Sequence, residues 1–467
     1  MSDLAMKTVH ELAPMIERRE VSPVELTREA LDRIKSLDER LHTFITVRGE
    51  QALADAQRAE SEIAQGKYRG PFHGVPMGIK DNIAVSGWPT TNASLLMTDF
   101  ITDYDATVVE RLRGAGAVIV GKTNLHEWAM GSTSDGPLGT THNPWDESRV
   151  PGGSSGGSAA AVSASLIYGS VGTDGRGSIR MPSAYCGVVG LKPTYGLVSR
   201  FGELPPTSSN NDHLGPIAKD VRDAATMLNV LAGHDPNDPT SIPSKAKDYT
   251  ADLGRGVAGL KVGVPLNFFF EQATTEMRTL VMKAVETLAS LGAEIREVRA
   301  PSLEYFPLAS TTSVNEAASF LLPFARKGPS AFGDQSIWER VVVGQLLSKD
   351  QISRGARLIN LIRQEFLSLM EQVDILAMPT TISQAFPITG ARDREADKAT
   401  ALTSPFNFLG MPAISVPCGF ASDGLPVGLM LAGRHWEDEL VLRVAYAYEQ
   451  ATSGGYVAPA IATSGNK

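Results

Sequence analysis

Apolar positions early in the chain are spaced as on one face of a helix. From Ser22 to Ile45 they recur mainly at three- and four-residue intervals, which predicts a helix. Its start is marked. Ser22 offers a hydroxyl at the N-cap, Pro23 suits the first turn, and Glu25 sits where the helix dipole favours a carboxylate. The first 65 residues read as helical. From residue 70 the pattern becomes short apolar runs separated by amphipathic stretches. Ala117–Val120 (AVIV) follows a helix ending near Gly114, and Leu260–Val264 is another strand. Thr274–Leu291 is helical, stops at Gly292 and leads into a strand over Ala293–Val298. Val373–Met378, Ala413–Val416 and Val427–Ala432 are further strands. Buried strands alternating with helices predict an α/β architecture in which helices cover a sheet.

The expected organisation is an N-terminal helical segment (1–65) packed on the core, an α/β body (66–456) and a flexible tail (457–467). Residues 300–350 are less regular and carry Tyr305, Phe306, Phe320, Phe324, Phe332 and Trp338. They are a candidate substrate-facing insertion, with ordinary peripheral helices as the competing reading.

Composition narrows the function classes. A chain of 467 residues, 42% hydrophobic and 20% charged, can bury a large core. A net charge of -9 argues against nucleic acid, because phosphate binding needs a basic surface. Cys186 and Cys418 are the only cysteines, too few for a disulfide framework and without metal-ligand spacing. They read as buried thiols in a reducing compartment. No basic–apolar leader and no run of ~18 apolar residues is present, so a cytoplasmic protein without a membrane span is expected. The 8 histidines are scattered and no H-E-x-x-H occurs, so neither metal nor cofactor is expected.

The candidate chemistry concentrates between Pro151 and Ser178, where PGGSSGGSAAA is followed by SLIYGSVGTDGRGSIRMP. Such a loop presents backbone N–H groups and hydroxyls to a ligand. It is not a phosphate loop, since no Gly-Lys-Ser/Thr follows the glycines. Gly152-Gly153-Ser154-Ser155-Gly156 matches G-x-S-x-G, but that elbow needs a strand before the serine. Here NPWDESRVP precedes it, with two prolines and three charges. His213, His234 and His435 stand in no telling context for a triad. A lysine base is the remaining reading. Lys80 lies in GVPMGIKDNI, an apolar, glycine-lined stretch where desolvation would leave its amine able to accept a proton.

The segments GVPMGIKDNI, GKTNLHEWAMGS, PGGSSGGSAAA, GTDGRGSIRMPSAYCGVVGLKPTYG and PAISVPCG together resemble the amidase signature family, from about residue 10 to 450. The resemblance implies a single large α/β domain, a mixed β-sheet sandwiched between layers of α-helices. It implies hydrolysis of amides, with anilides, carbamates or esters as further substrates. The family's catalytic lysine falls on Lys80, its bridging serine, which follows a cis peptide bond, on Ser154, and its nucleophile on Ser178. Backbone N–H groups of Gly175, Arg176, Gly177 and Ser178 match its oxyanion hole. Thr173 and Asp174 match residues that brace this loop, and Ser155 supports Ser154. Met130 and Met181 are assigned to the substrate's surroundings, with the aromatics of 300–340 hinting at an apolar acyl or aryl group. Gly175-Arg176 departs from the family pattern, so Arg176 is expected to shape substrate choice.

Within the family the main expectation is a free-standing amidase. It acts on a small-molecule amide as a monomer or homodimer, with no nucleic acid and no membrane span. The alternative is the glutaminase subunit of a tRNA-dependent amidotransferase. An arginine-containing pattern that binds glutamine in that subfamily is missing from SKDQISRGARLINLIRQEF. A catalytically inactive binding protein is a remote alternative, disfavoured because Lys80, Ser154 and Ser178 are all present.

Overall fold

The computed structural model describes residues 3–205, 211–244, 247–388, 398–452 and 455–463. Its frame is one 11-stranded sheet. In chain order the strands are β1 (Phe44–Val47), β2 (Pro76–Lys80), β3 (Val118–Thr123), a small separate hairpin β4 (Asp135–Gly136) and β5 (Gly139–Thr140), β6 (Gly169–Thr173), β7 (Val189–Lys192), β8 (Leu214–Ala218), β9 (Lys261–Pro265), β10 (Glu294–Val298), β11 (Ile375–Pro379), β12 (Ala413–Phe420) and β13 (Pro426–Ala432). The spatial order is β1-β3-β2-β6-β8-β7-β12-β13-β11-β9-β10. Strands β3, β2 and β6 run parallel, as do β11, β9 and β10, with antiparallel pairs between the two groups.

The sheet is covered on both faces. Along β3, Val118 and Val120 join one apolar cluster while Ile119 joins another. Alternation along a strand sends these side chains to opposite faces, and both faces are buried. One face receives the helices Pro23–Leu41, Gly49–Ala64 and Gly156–Ser163; the other receives Thr107–Gly114, Val221–Leu231, Thr275–Ser290 and Asp438–Ala451. This is the large α/β fold with a mixed sheet between helical layers.

Local differences have local causes. The helix predicted over Ser22–Ile45 ends at Leu41. His42 takes a left-handed conformation, and the Asp38 carboxylate accepts from the backbone N–H of Thr43 and Phe44. The chain then enters β1, which pairs antiparallel with β3. Strands β2, β6, β7 and β8 escape an apolar-run reading because PMGIK, GSVGT, VGLK and LGPIA are short and interrupted by glycine, serine or proline. Cys186 is buried as expected, but Cys418 is only half-buried; both are free thiols. The segment expected as a flexible tail carries a short helix, Ala460–Thr463, that buries Ile461 and Ala462; residues 464–467 lie outside the described residues. Among the described residues no helix is long and apolar enough to cross a membrane.

Candidate active site

Two neighbouring parallel strands bring the lysine and the glycine-serine loop together. β2 ends at Lys80 and β6 ends at Thr173, with Ile79 opposite Val171. Their carboxyl ends therefore open on the same side of the sheet, where α/β proteins characteristically bind ligands. Lys80 Nζ lies 2.7 Å from Ser154 Oγ and 2.7 Å from Thr173 Oγ1. No strand precedes Ser154, and the Gly153–Ser154 peptide is cis. Ser155 ties the two loops: its hydroxyl donates to the Thr173 carbonyl (3.1 Å), and its N–H donates to the Ser178 carbonyl (3.1 Å).

The loop after β6 is organised by one carboxylate. Asp174 accepts from the backbone N–H of Gly177 (2.6 Å) and Ile179 (3.1 Å), and from Arg180 Nε (3.0 Å) and Nη2 (3.1 Å). Asn407 Nδ2 donates to the same carboxylate at 2.8 Å. Asp174 and Arg180 are both fully buried. Burial opposes the charge on Asp174, but the Arg180 guanidinium and these hydrogen bonds outweigh it and hold the carboxyl well below its usual range. The same contacts correct one expectation: the Gly177 N–H is already engaged and does not point to a ligand. The N–H groups of Gly175 and Ser178 have no acceptor among the described residues.

Lys80, Ser154 and Ser178 differ in exposure. The first two are at 0%, whereas Ser178 is 8% exposed and its hydroxyl makes no hydrogen bond among the described residues. Ser154 and Ser178 line one cavity of about 280 Å³. Burial pushes the Lys80 amine down to about 7, while the carboxylates of Glu203, Asp174 and Asp212 hold it up against that. An amine in that range offers a lone pair near neutral pH, so it can take a proton from the Ser154 hydroxyl.

Of the residues singled out in the sequence, Met130, Thr173, Gly175 and Arg176 also line the cavity. Arg176 Nε donates to Ser404 Oγ at 3.3 Å. Met181 is not there. It is fully buried in a separate cluster with Val150, Tyr185 and Phe386, on the helix Arg180–Cys186 that follows the loop. The aromatics of 300–340 do not line the cavity either: Phe324, Phe332 and Trp338 pack around Trp128, and Tyr305 is exposed. Residues 300–350 contribute Ser313, Val314, Ala317 and Arg340 instead. Glu203, Asn211 and Asp212 complete the polar wall. Sequence reasoning missed Arg340 and these three because none lies in a segment that carries the family resemblance. Glu203 had one signal, a lone acid among apolar, glycine and proline neighbours in FGELPP.

Comparison with known proteins agrees with this geometry. The family model described as Amidase matches residues 25–442. A protein of Cyanothece sp. named as a glutamyl-tRNA(Gln) amidotransferase subunit is 41% identical, covering 96% of this chain and 98% of its own. The crystal structure of the Thermotoga maritima protein of the same name superposes with TM-score 0.85 at 33% identity, covering 98% of both chains. A structure described as a vestigial protein complex revealing the origins of an s-triazine catabolic enzyme superposes with TM-score 0.90 at 32% identity, covering 97% of this chain and 100% of the other. The relatives named as components of a tRNA amidotransferase overturn the expectation of no nucleic acid and a self-contained monomer or homodimer. The expectation of no nucleic acid rested on net charge, which sums the whole surface and is blind to what a partner protein contributes.

Proposed function

This chain belongs to the amidase signature family of carbon–nitrogen hydrolases, and from that premise we propose that it is an amide-hydrolysing subunit that releases ammonia from a small carboxylate-bearing amide, with glutamine as the first candidate. The observation that carries the reading is the buried Lys80–Ser154 contact of 2.7 Å beside Ser178 in one cavity. Neutral Lys80 takes the Ser154 proton as Ser154 takes the proton of Ser178, and Ser178 Oγ bonds to the amide carbon. The carbonyl electron pair moves onto oxygen, where the N–H groups of Gly175 and Ser178 receive it; such donors are worth roughly 3–4 kcal/mol each in other enzymes. When the C–N bond breaks, Ser154 gives its proton to the departing nitrogen and is resupplied by the Lys80 ammonium. Water then attacks the acyl-enzyme, losing its proton through the same relay and freeing the acid and Ser178.

Two findings favour glutamine over the anilides and carbamates suggested by the sequence. The cavity wall carries Arg340 and Arg176, groups suited to a carboxylate. Arg340 reaches the cavity from the helix Gln335–Leu346, which supports a carboxylate-reading role for it in this proposal. The relatives' name also points to a component of a larger assembly. A cytoplasmic setting belongs to this reading, and the free thiols Cys186 and Cys418 suit it. The test is ammonia release from glutamine, short aliphatic amides, anilides and aryl carbamates, by the chain alone and with co-purified partners. Turnover of glutamine that is lost in Ser178→Ala supports the reading. Turnover of other amides with none of glutamine, partners included, overturns it.

A further inference from the structure

Two adjacent buried side chains outside the cavity grip the start of the helix that carries Arg340. His126 and Glu127 follow β3, and neither lines the reaction cavity. His126 Nε2 lies 3.0 Å from Asp334 Oδ2, and the Glu127 carboxylate accepts the Asp334 backbone N–H at 2.9 Å. Asp334 is the N-cap of the helix Gln335–Leu346, where its Oδ1 accepts the Ser336 N–H at 2.9 Å. Burial opposes the charge on Asp334, but the His126 and Ser336 contacts outweigh it and hold the carboxyl well below its usual range. A carboxylate only accepts, so His126 supplies the proton of their hydrogen bond.

The same histidine is fastened to the catalytic side. Its backbone N–H donates to the Ser154 carbonyl (3.1 Å), and its Nδ1 lies 3.0 Å from Thr133 Oγ1. Its ring lies against the Gly131 backbone, where an added Cβ would collide with it. Gly131 and Ser132 form cavity wall, and Arg340 Nη1 donates to the carbonyl of the adjoining Met130. One imidazole therefore joins the wall beside Ser154 to a helix cap 208 positions along the chain, with Arg340 about two turns beyond that cap.

We infer that His126 and Asp334 are positioning residues for substrate selection: their contact fixes where Arg340 stands against the Met130–Ser132 wall, and so how firmly the cavity holds a carboxylate on the substrate's acyl chain. A guanidinium meets a carboxylate through a rigid fork, so a small displacement of its helix forfeits bonds that a point charge would keep. The Lys80–Ser154 relay does not pass through this contact. The inference rests on the carboxylate-bearing amide reading above but not on glutamine.

The test measures kcat and KM for ammonia release from glutaramate and pentanamide, which differ by a carboxylate in place of a methyl group, using the protein with any co-purified partner. The parent should favour glutaramate in kcat/KM by roughly 10- to 100-fold, and Arg340→Met should remove that preference. Asp334→Ser keeps a cap acceptor for the Ser336 N–H but is too short to reach His126. It should raise KM for glutaramate roughly tenfold, with its kcat and both constants for pentanamide within about threefold of the parent. Adding Asp334→Ser to Arg340→Met should lower the preference no further, because Asp334 acts through Arg340. A preference that Asp334→Ser leaves intact, or losses that add in the double variant, overturns the inference. A purely structural role would weaken both amides together, which also overturns it. Should Asp334→Ser not fold, His126→Asn decides by the same ratio, since the shorter amide keeps Thr133 within reach and gives up Asp334. Failure of the carboxylate reading is separate: the parent would show no glutaramate preference, or Arg340→Met would leave it unchanged, and the inference would fall with it.

Discussion

Lowering the pH from 8 to 5 should slow acylation of Ser178 in proportion to the free-base fraction of Lys80. Burial holds that amine at about 7. The free base is then about 90% at pH 8, about half at pH 7, about a tenth at pH 6 and about a hundredth at pH 5. Log kcat/KM should climb with unit slope up to about pH 6.5 and level off above about 7.5. A solvated lysine, ordinarily near ~10.4, would be only about 0.04% free base at pH 7. Its profile would rise without a plateau until about pH 10. The two cases differ by about three orders of magnitude at neutrality, or about 4–5 kcal/mol of proton affinity. The assay is the rate of inactivation by a fluorophosphonate, paired with initial rates of ammonia release, from pH 5 to 9.5 at constant ionic strength. Lys80→Met should abolish the acidic limb and lower the rate by about 10²–10⁴. Lys80→Arg should behave the same way, because a guanidinium stays protonated. A flat profile between pH 5 and 8, or a rise continuing past pH 9, would refute the assignment of Lys80 as base.

Arg180→Met strands the buried Asp174 carboxylate and should cost about 3–5 kcal/mol in urea unfolding at pH 7. Asp174 is depressed in the folded state, so its contribution is present above the unfolded value near ~3.9 and fades as pH falls toward the folded one. The gap between variant and parent should accordingly narrow under acid. Gly177→Ala should abolish turnover and lower the melting temperature, because the position has φ +127° and the added Cβ would collide with Thr403 Oγ1. Replacing Ser22 by alanine removes the acceptor of the Val24 and Glu25 N–H groups (3.1 and 3.2 Å) and should cost about 1 kcal/mol, with activity unchanged.

Much of this protein is determined by local order along the chain. Ser22 caps its helix as its hydroxyl and the following proline require, and Thr275–Ser290 with β10 appears where periodicity and Gly292 put it. Lys80, Ser154 and Ser178 were singled out because their segments resemble the family's motifs, and the structure sets Lys80 2.7 Å from Ser154 and lines one cavity with Ser154 and Ser178; the lack of a strand before Ser154 argued against an elbow. The rest required the fold. β6 was obscured by its glycines and serine, and only its parallel pairing with β2 puts Lys80 against Thr173, where Ser154 meets it from the loop before the helix Gly156–Ser163. The depressed lysine depends on complete burial, which no window of sequence contains. Met181 looked like a substrate contact by its closeness to Ser178, yet one turn of helix sends it into another core. Glu203, Asp212 and Arg340 meet in the cavity from segments more than 100 residues apart at the extremes. Periodicity reports which face of an element is buried, because that preference is local. Which polar side chains converge in one space is set by how sheet and helices pack, and that was decided by the tertiary structure alone.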